Sequence, residues 1–86
     1  MKVAVYDTYV EKKNGQTMHF DVIVPEEESV ERVFDYGRQY LKSVGQEGQP
    51  LAANECQFCH VESAKTAVLQ EIKDRGYFIK EMEGCR

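Results

Sequence analysis

Several features that would point to a function are missing from this chain of 86 residues. It has no basic stripe of the kind that neutralises phosphates, and its formal net charge is -4, so no nucleic-acid partner is expected. The longest apolar run near the N-terminus, Val3 to Tyr6, stops at Asp7. That run is too short for a signal-peptide core or a membrane span, so we expect a cytoplasmic protein without membrane association.

Cysteine is scarce, with three residues in the chain. Three thiols cannot close a disulfide framework, and a reducing compartment would keep them free. The glycine-containing stretch 45–50 lacks the lysine of a phosphate-binding loop, and no internal repeat is present. No complete catalytic constellation can be assembled, which favours a binding or interaction module over an enzyme.

The composition predicts one folded domain over residues 1–86, because 42% of the residues are hydrophobic and 30% are charged. A domain of this length buries only about 60% of the surface that its unfolded chain exposes. Contact with another chain would add stability, so we expect self-association or a protein partner.

The N-terminal quarter of the chain predicts a β-hairpin. Strand-like segments run from Lys2 to Val10 and from Thr17 to Val24, and Asn14-Gly15 between them fits a two-residue type I′ turn. That turn would place Asp7 opposite Val22, on the apolar face of the hairpin.

Three polar residues of this hairpin are candidate site residues. A buried carboxylate at Asp7 must be paired, hydrogen-bonded or protonated, and each arrangement could serve either a structural network or an acid-base site. His19 and Asp21 share the opposite face, where Thr8 would lie across from Asp21. An aspartate-oriented histidine suits a base or a metal ligand, and an exposed polar face with a cross-strand hydrogen bond is the alternative.

A helix is predicted after Pro25, because apolar residues recur at three-and-four spacing from Val30 to Val44. Ser29 suits the N-cap and Gly45 the position after the helix. Gly37 lies on the apolar stripe, where it would let a neighbour approach closely.

The rest of the chain predicts two strands and one more helix: a third strand over Cys56–Val61, a second helix from Ser63 to Gly76, and a last strand over Tyr77–Met82. The resulting order β-β-α-β-α-β predicts an α+β fold, specifically an α/β two-layer sandwich. Its N-terminal hairpin would belong to a mixed four-stranded sheet, accompanied by two helices.

The stretch ECQFCHVE, residues 55–62, contains C-x-x-C-H, the spacing of covalent c-type haem attachment. Haem of this type belongs to exported proteins, so the missing export signal argues against it. A zinc site would use Cys56, Cys59, His60 and Cys85, although only one C-x-x-C pair is present. With no cofactor as the leading expectation, zinc is the alternative.

Two other interpretations of the same stretch remain. A dithiol redox pair needs Cys56 at a helix N-terminus, whereas the predicted helix begins seven positions later, at Ser63. In a strand, Cys56 and Cys59 would point to opposite faces and pack as small hydrophobes.

Four segments of the chain together resemble a known family: MKVAVYDTYV, MHFDVIVP, ECQFCHVE and YFIKEMEGC. The chain is similar, from Met1 to Cys85, to domain-of-unknown-function family twenty-twenty-four, small bacterial proteins without an assigned activity. The resemblance implies a compact α/β fold and brings no catalytic residue with it.

Overall fold

One sheet and two helices form the described part of the protein. The computed structural model describes residues 2–56 and 65–85. Its elements are β1 (Val3–Glu11), β2 (Thr17–Pro25), α1 (Val30–Ser43), β3 (Leu51–Glu55), α2 (Thr66–Arg75) and β4 (Phe78–Glu83). The predicted α+β class and the order β-β-α-β-α-β are confirmed.

The sheet is antiparallel throughout, with the strand order β3-β1-β2-β4. The predicted mixed sheet is therefore wrong. The strands joined by α1, β2 and β3, do run in the same direction, but β1 lies between them and is antiparallel to both. A helical crossover therefore exists without any parallel pair.

The hairpin turn has three residues where the sequence predicted two. The amide of Lys12 donates to the carbonyl of Gln16 (2.7 Å), and the amide of Gly15 donates to the carbonyl of Lys12 (2.9 Å). Gly15 has a φ of 87°, a left-handed conformation that favours glycine. This is the three-residue hairpin loop that ends in a glycine bulge.

The longer turn shifts the pairing of β1 with β2 by one residue. Asp7 lies opposite Asp21, whereas the two-residue turn had placed it opposite Val22. Since strand side chains alternate between faces, this shift decides which residues share a face. Asp7 therefore joins His19 and Asp21, from which the predicted register had separated it.

The two faces of the sheet differ in what covers them. We call the face packed against α1 the core face; its strand residues are Ala4, Tyr6, Thr8, Val10, Met18, Phe20, Val22 and Val24. We call the opposite face the site face; there Ile72 of α2 packs on Val5 and Ile23. The helices lie on opposite sides of the sheet, so the predicted two-layer arrangement is corrected to three layers.

The ends of the helices follow from local chemistry. The Ser29 hydroxyl accepts a hydrogen bond from the amide of Arg32 (3.3 Å), which confirms the predicted N-cap of α1. A Cβ at Gly37 would lie 3.1 Å from the side chain of Leu51, so the predicted close approach is also confirmed. Neither described helix is long and apolar enough to cross a membrane.

The third strand ends where the sequence had predicted it to begin. The amide of Cys56 donates to the carbonyl of Val5 (2.8 Å), one residue beyond the end of β3. The predicted strand over Cys56–Val61 and the predicted helix start at Ser63 fall on residues 57–64, outside the described residues. The second helix is described from Thr66 and is followed by Gly76 at a φ of 93°.

Candidate metal centre

The site face carries a cluster of three polar side chains, farther along the strands than the residues on which Ile72 of α2 packs. Asp7 comes from β1, while His19 and Asp21 come from β2, and the antiparallel register sets them side by side. One ligand atom from each lies within 4.8 Å of the other two. The structure thus brings together three residues that the sequence had assigned to two faces.

The imidazole of His19 lies between the two carboxylates. Its Nε2 atom is 3.5 Å from Oδ1 of Asp7 and 3.5 Å from Oδ1 of Asp21. His19 Nε2 and Asp21 Oδ1 are both buried, and within residues 2–56 and 65–85 neither has a partner that meets hydrogen-bond geometry, although the two atoms lie within ion-pair distance of each other. Leaving a buried polar atom unpaired costs about 1–3 kcal/mol, so this arrangement calls for an explanation.

The orientation of the histidine ring is fixed from one side by Tyr9. The two residues are cross-strand partners, and their rings stack with centroids 4.3 Å apart and planes 10° from parallel. Tyr9 itself is 46% exposed, so its ring forms the solvent side of the stack. The imidazole is therefore held with Nε2 directed at the carboxylates.

Burial and a second carboxylate raise the pKa of Asp21 from 3.8 to about 6. Burial is the larger cause, followed by a hydrogen bond and charge repulsion from Asp7; His19 and Lys80 act in the opposite direction. Lys80 of β4 is the cross-strand partner of Asp21, and Asn54 of β3 is the partner of Asp7. The polar residues Asn54, Asp7, Asp21 and Lys80 therefore form one row across all four strands.

The sequence interpretation missed Tyr9, Asn54 and Lys80 as neighbours of this cluster. Their proximity depends on which strands are adjacent and in which register. Within the hairpin, the sequence signal was the spacing of His19 and Asp21, two positions apart and therefore on one face of a strand. Without the order β3-β1-β2-β4, nothing connects Asn54 or Lys80 to Asp7 and Asp21.

The donor set suits a divalent transition-metal ion. Zinc binds imidazole nitrogen and carboxylate oxygen at about 2.0–2.2 Å, which places neighbouring ligands of a tetrahedral ion about 3.3 Å apart. The distance from His19 Nε2 to each carboxylate oxygen is 3.5 Å, close to that edge length. Chemically, such an ion would satisfy both unpaired atoms at once.

The cysteine candidates are distributed differently. Cys85 is buried after β4, where its thiol contacts the carbonyl of His19 at 3.3 Å. Cys56 follows β3 at the other edge of the sheet, three strand spacings or about 14 Å across. The structure does not bring these two cysteines together. Cys85 is a free thiol, as expected, whereas Cys56 is disulfide-bonded, so the expectation that all cysteines stay free is wrong for Cys56.

The other two predicted ligands of that zinc set, Cys59 and His60, lie outside the described residues. A site in the C-x-x-C-H stretch therefore stays a prediction. Any such site that includes Cys56 would require reduction of the Cys56 disulfide and would have to be completed without Cys85.

Comparison with known proteins settles the family. The model of a family described as Domain of unknown function (DUF2024) matches residues 1–82. The chain belongs to this family. The membership confirms the resemblance found in the sequence, and the description of DUF2024 assigns the family no activity.

A solved structure supports the fold of this DUF2024 chain. The NMR structure of protein NE1680 from the bacterium Nitrosomonas europaea is 39% identical in sequence, and the match covers 100% of both chains with a TM-score of 0.81. No curated protein matches the chain. The comparisons thus establish family and fold, and the chemistry has to be argued from the site itself.

Proposed function

We propose that this protein is a small metal-binding module that holds one divalent first-row transition-metal ion between Asp7, His19 and Asp21. The observation that carries the proposal is that His19 Nε2 and Asp21 Oδ1 are buried 3.5 Å apart and that neither accepts or donates a hydrogen bond within the described part of the chain. A bound cation gives both atoms a partner and offsets the repulsion between the two carboxylates.

The ligand types favour zinc over magnesium or calcium. The hard ions prefer an all-oxygen shell, whereas an imidazole nitrogen with two carboxylates suits zinc, manganese or iron. Three protein ligands leave a further coordination position for water or a bound molecule. The side chains become more exposed from Asp21 (11%) through His19 (20%) to Asp7 (33%), so that position would open beside Asp7.

The proposal moves the predicted zinc site from the C-x-x-C-H stretch to the site face. It keeps the broader expectation of a binding module without a catalytic constellation. A cytoplasmic location and a protein partner or self-association stay predictions from the sequence. The metal proposal depends on none of them.

Isothermal titration of zinc into chelator-treated protein tests the proposal. All titrations should use the double variant Cys56→Ser, Cys59→Ser as the parent protein, so that the cysteines of the C-x-x-C pair cannot bind zinc. We expect one zinc ion per chain in this background. Asp21→Asn should weaken the affinity by at least about tenfold, since altering even supporting residues of metal sites costs 10–100-fold.

Two further variants make the titration specific. His19→Phe keeps an aromatic ring that can stack on Tyr9 but removes the nitrogen ligand. Because that ligand is lost, this variant should not bind zinc tightly. Asp35→Asn removes an exposed carboxylate of α1 that pairs with Arg38, and it should leave the zinc affinity unchanged. The proposal fails if the Cys56→Ser, Cys59→Ser background binds no zinc, or if Asp21→Asn and Asp35→Asn have the same zinc affinity.

A further inference from the structure

A cleft lies on the other side of the molecule, between α1 and the segment that leads into β3. Its volume is about 530 Å³, within the range of roughly 300–1,000 Å³ that is common for small-molecule sites. The Asp7, His19 and Asp21 cluster does not line it. Among its lining residues are Phe34, Leu41, Pro50 and Leu51, which supply apolar surface.

The mouth of the cleft carries charge of both signs. Arg38 and Lys42 stand four residues apart on α1, on one face of the helix, and both line the cleft. Lys42 Nζ lies 3.8 Å from Oε2 of Glu47 on the opposite wall, so this ion pair spans the opening. Both side chains are well exposed, at 74% and 66%, and an exposed pair at this distance is weak.

The wall opposite the helix is held in place by the hairpin. The side chain of Gln46 accepts a hydrogen bond from the amide of Lys13 (2.9 Å), and the side chain of Gln49 donates one to the carbonyl of Glu11 (2.7 Å). These bonds anchor the segment on both sides of Glu47. The cleft is thus formed before any ligand arrives, which lowers the entropy cost of binding.

We propose that this cleft binds a small amphipathic carboxylate, with its apolar part on Phe34 and Leu51 and its carboxylate at Lys42. The ligand's carboxylate would take the place of Glu47 as the partner of Lys42. Lys42 sets the charge of the ligand, because Arg38 is already paired with Asp35 at 3.0 Å, whereas the ion pair of Lys42 with Glu47 is longer, at 3.8 Å, and well exposed. The site is independent of the proposed metal centre.

Octanoate is a suitable probe, titrated into the full-length protein while amide chemical shifts are followed by NMR. We expect saturable shifts centred on Phe34 and Leu51. Octylammonium, with the same chain and the opposite charge, should bind at least about twofold more weakly, the low end of what an exposed charge pair contributes. No saturation with octanoate, equal binding of the two probes, or shifts centred on the site face would overturn the proposal.

Two charge-neutralising variants should change the octanoate affinity in opposite directions. Lys42→Gln removes the partner of the ligand's carboxylate and should weaken binding about two- to fivefold. Glu47→Gln removes the competing carboxylate and should strengthen binding by a similar factor. Both positions are exposed, so both variants should fold. An unchanged affinity in Lys42→Gln, or weaker binding in Glu47→Gln, would contradict the assigned orientation.

Discussion

The two faces of the β1-β2 hairpin are built from alternate residues of the same strands, yet they do different things. On the core face, Met18, Phe20, Val22 and Val24 are fully buried. Even the polar Thr8 on that face is satisfied, because its hydroxyl donates to the carbonyl of Tyr6 (3.2 Å). On the site face, buried polar atoms of His19 and Asp21 have no hydrogen-bond partner among the residues that the structure describes. The core face therefore stabilises the fold along the length of the hairpin, whereas the site face combines the cluster around Ile72 with charges held at a cost in stability.

The largest effect should come from breaking the core face. Phe20→Ala empties the centre of the core and should lower the free energy of unfolding by about 3–5 kcal/mol. Tyr9→Ala is the matched change on the site face, and because Tyr9 is 46% exposed it should cost about 1 kcal/mol or less. Urea unfolding of both variants measures the difference. Equal losses in the free energy of unfolding would mean that the core face does not contribute more to stability than the site face.

Ionisation of Asp21 on the site face should make the free energy of unfolding depend on pH. The pKa of Asp21 is raised in the fold from 3.8 to about 6, so the folded state binds this proton more tightly than the unfolded state. The associated stability is fully present below about pH 4 and is lost as pH rises through about 6. In metal-free wild type the loss should reach at most about 3 kcal/mol.

Asp21→Asn separates the contribution of Asp21 to the pH dependence of stability from that of the other carboxyl groups. The variant cannot ionise at position 21, so its stability relative to wild type should increase between pH 4 and pH 8, measured by urea unfolding with a chelator present. A constant difference across that range would show that Asp21 titrates at its ordinary pKa. Adding zinc at pH 7.5 should reverse the order, since the metal stabilises only the protein that retains its ligands.

A smaller loss of stability is expected from breaking the hydrogen bond that joins α1 to β4 on the core face. The Tyr40 hydroxyl donates a hydrogen bond to Oε2 of Glu81 at 2.5 Å. Tyr40→Phe removes that bond while keeping the ring on Phe20, so it should cost about 1–2 kcal/mol in thermal or urea unfolding. The same substitution should leave zinc affinity unchanged; a lower affinity would mean that the two faces are coupled.

The smallest effect should come from the turn that sets the register. Gly15 has a φ of 87°, and a Cβ added there would contact nothing within 4 Å. Gly15→Ala should therefore cost only the backbone strain of alanine at a positive φ, about 1 kcal/mol, measured by urea unfolding. A loss of stability as large as that of Phe20→Ala would imply that the substitution also disrupts the pairing of β1 with β2.

The sequence predicted most of the elements, because their signals are local. Ser29 and the apolar stripe define α1, and the Asn14-Gly15 pair marks the hairpin. The sequence indicated Asp7, His19 and Asp21 as candidates, but it could not place Asp7 beside the other two, because that depends on the register, which a single added turn residue changes. The sheet order is also non-local, so neither the antiparallel edges nor the nearness of Lys80 to Asp21 could be derived.

The most direct test of the central claim is the nitrogen spectrum of the two histidines during a zinc titration. The chain contains His19 and His60, and a long-range ¹H–¹⁵N experiment distinguishes their imidazole nitrogens. We predict that zinc shifts Nε2 of His19 in wild type and that Asp21→Asn abolishes the shift. A shift confined to His60, with His19 unchanged, would contradict the site-face account and assign the metal to the C-x-x-C-H stretch.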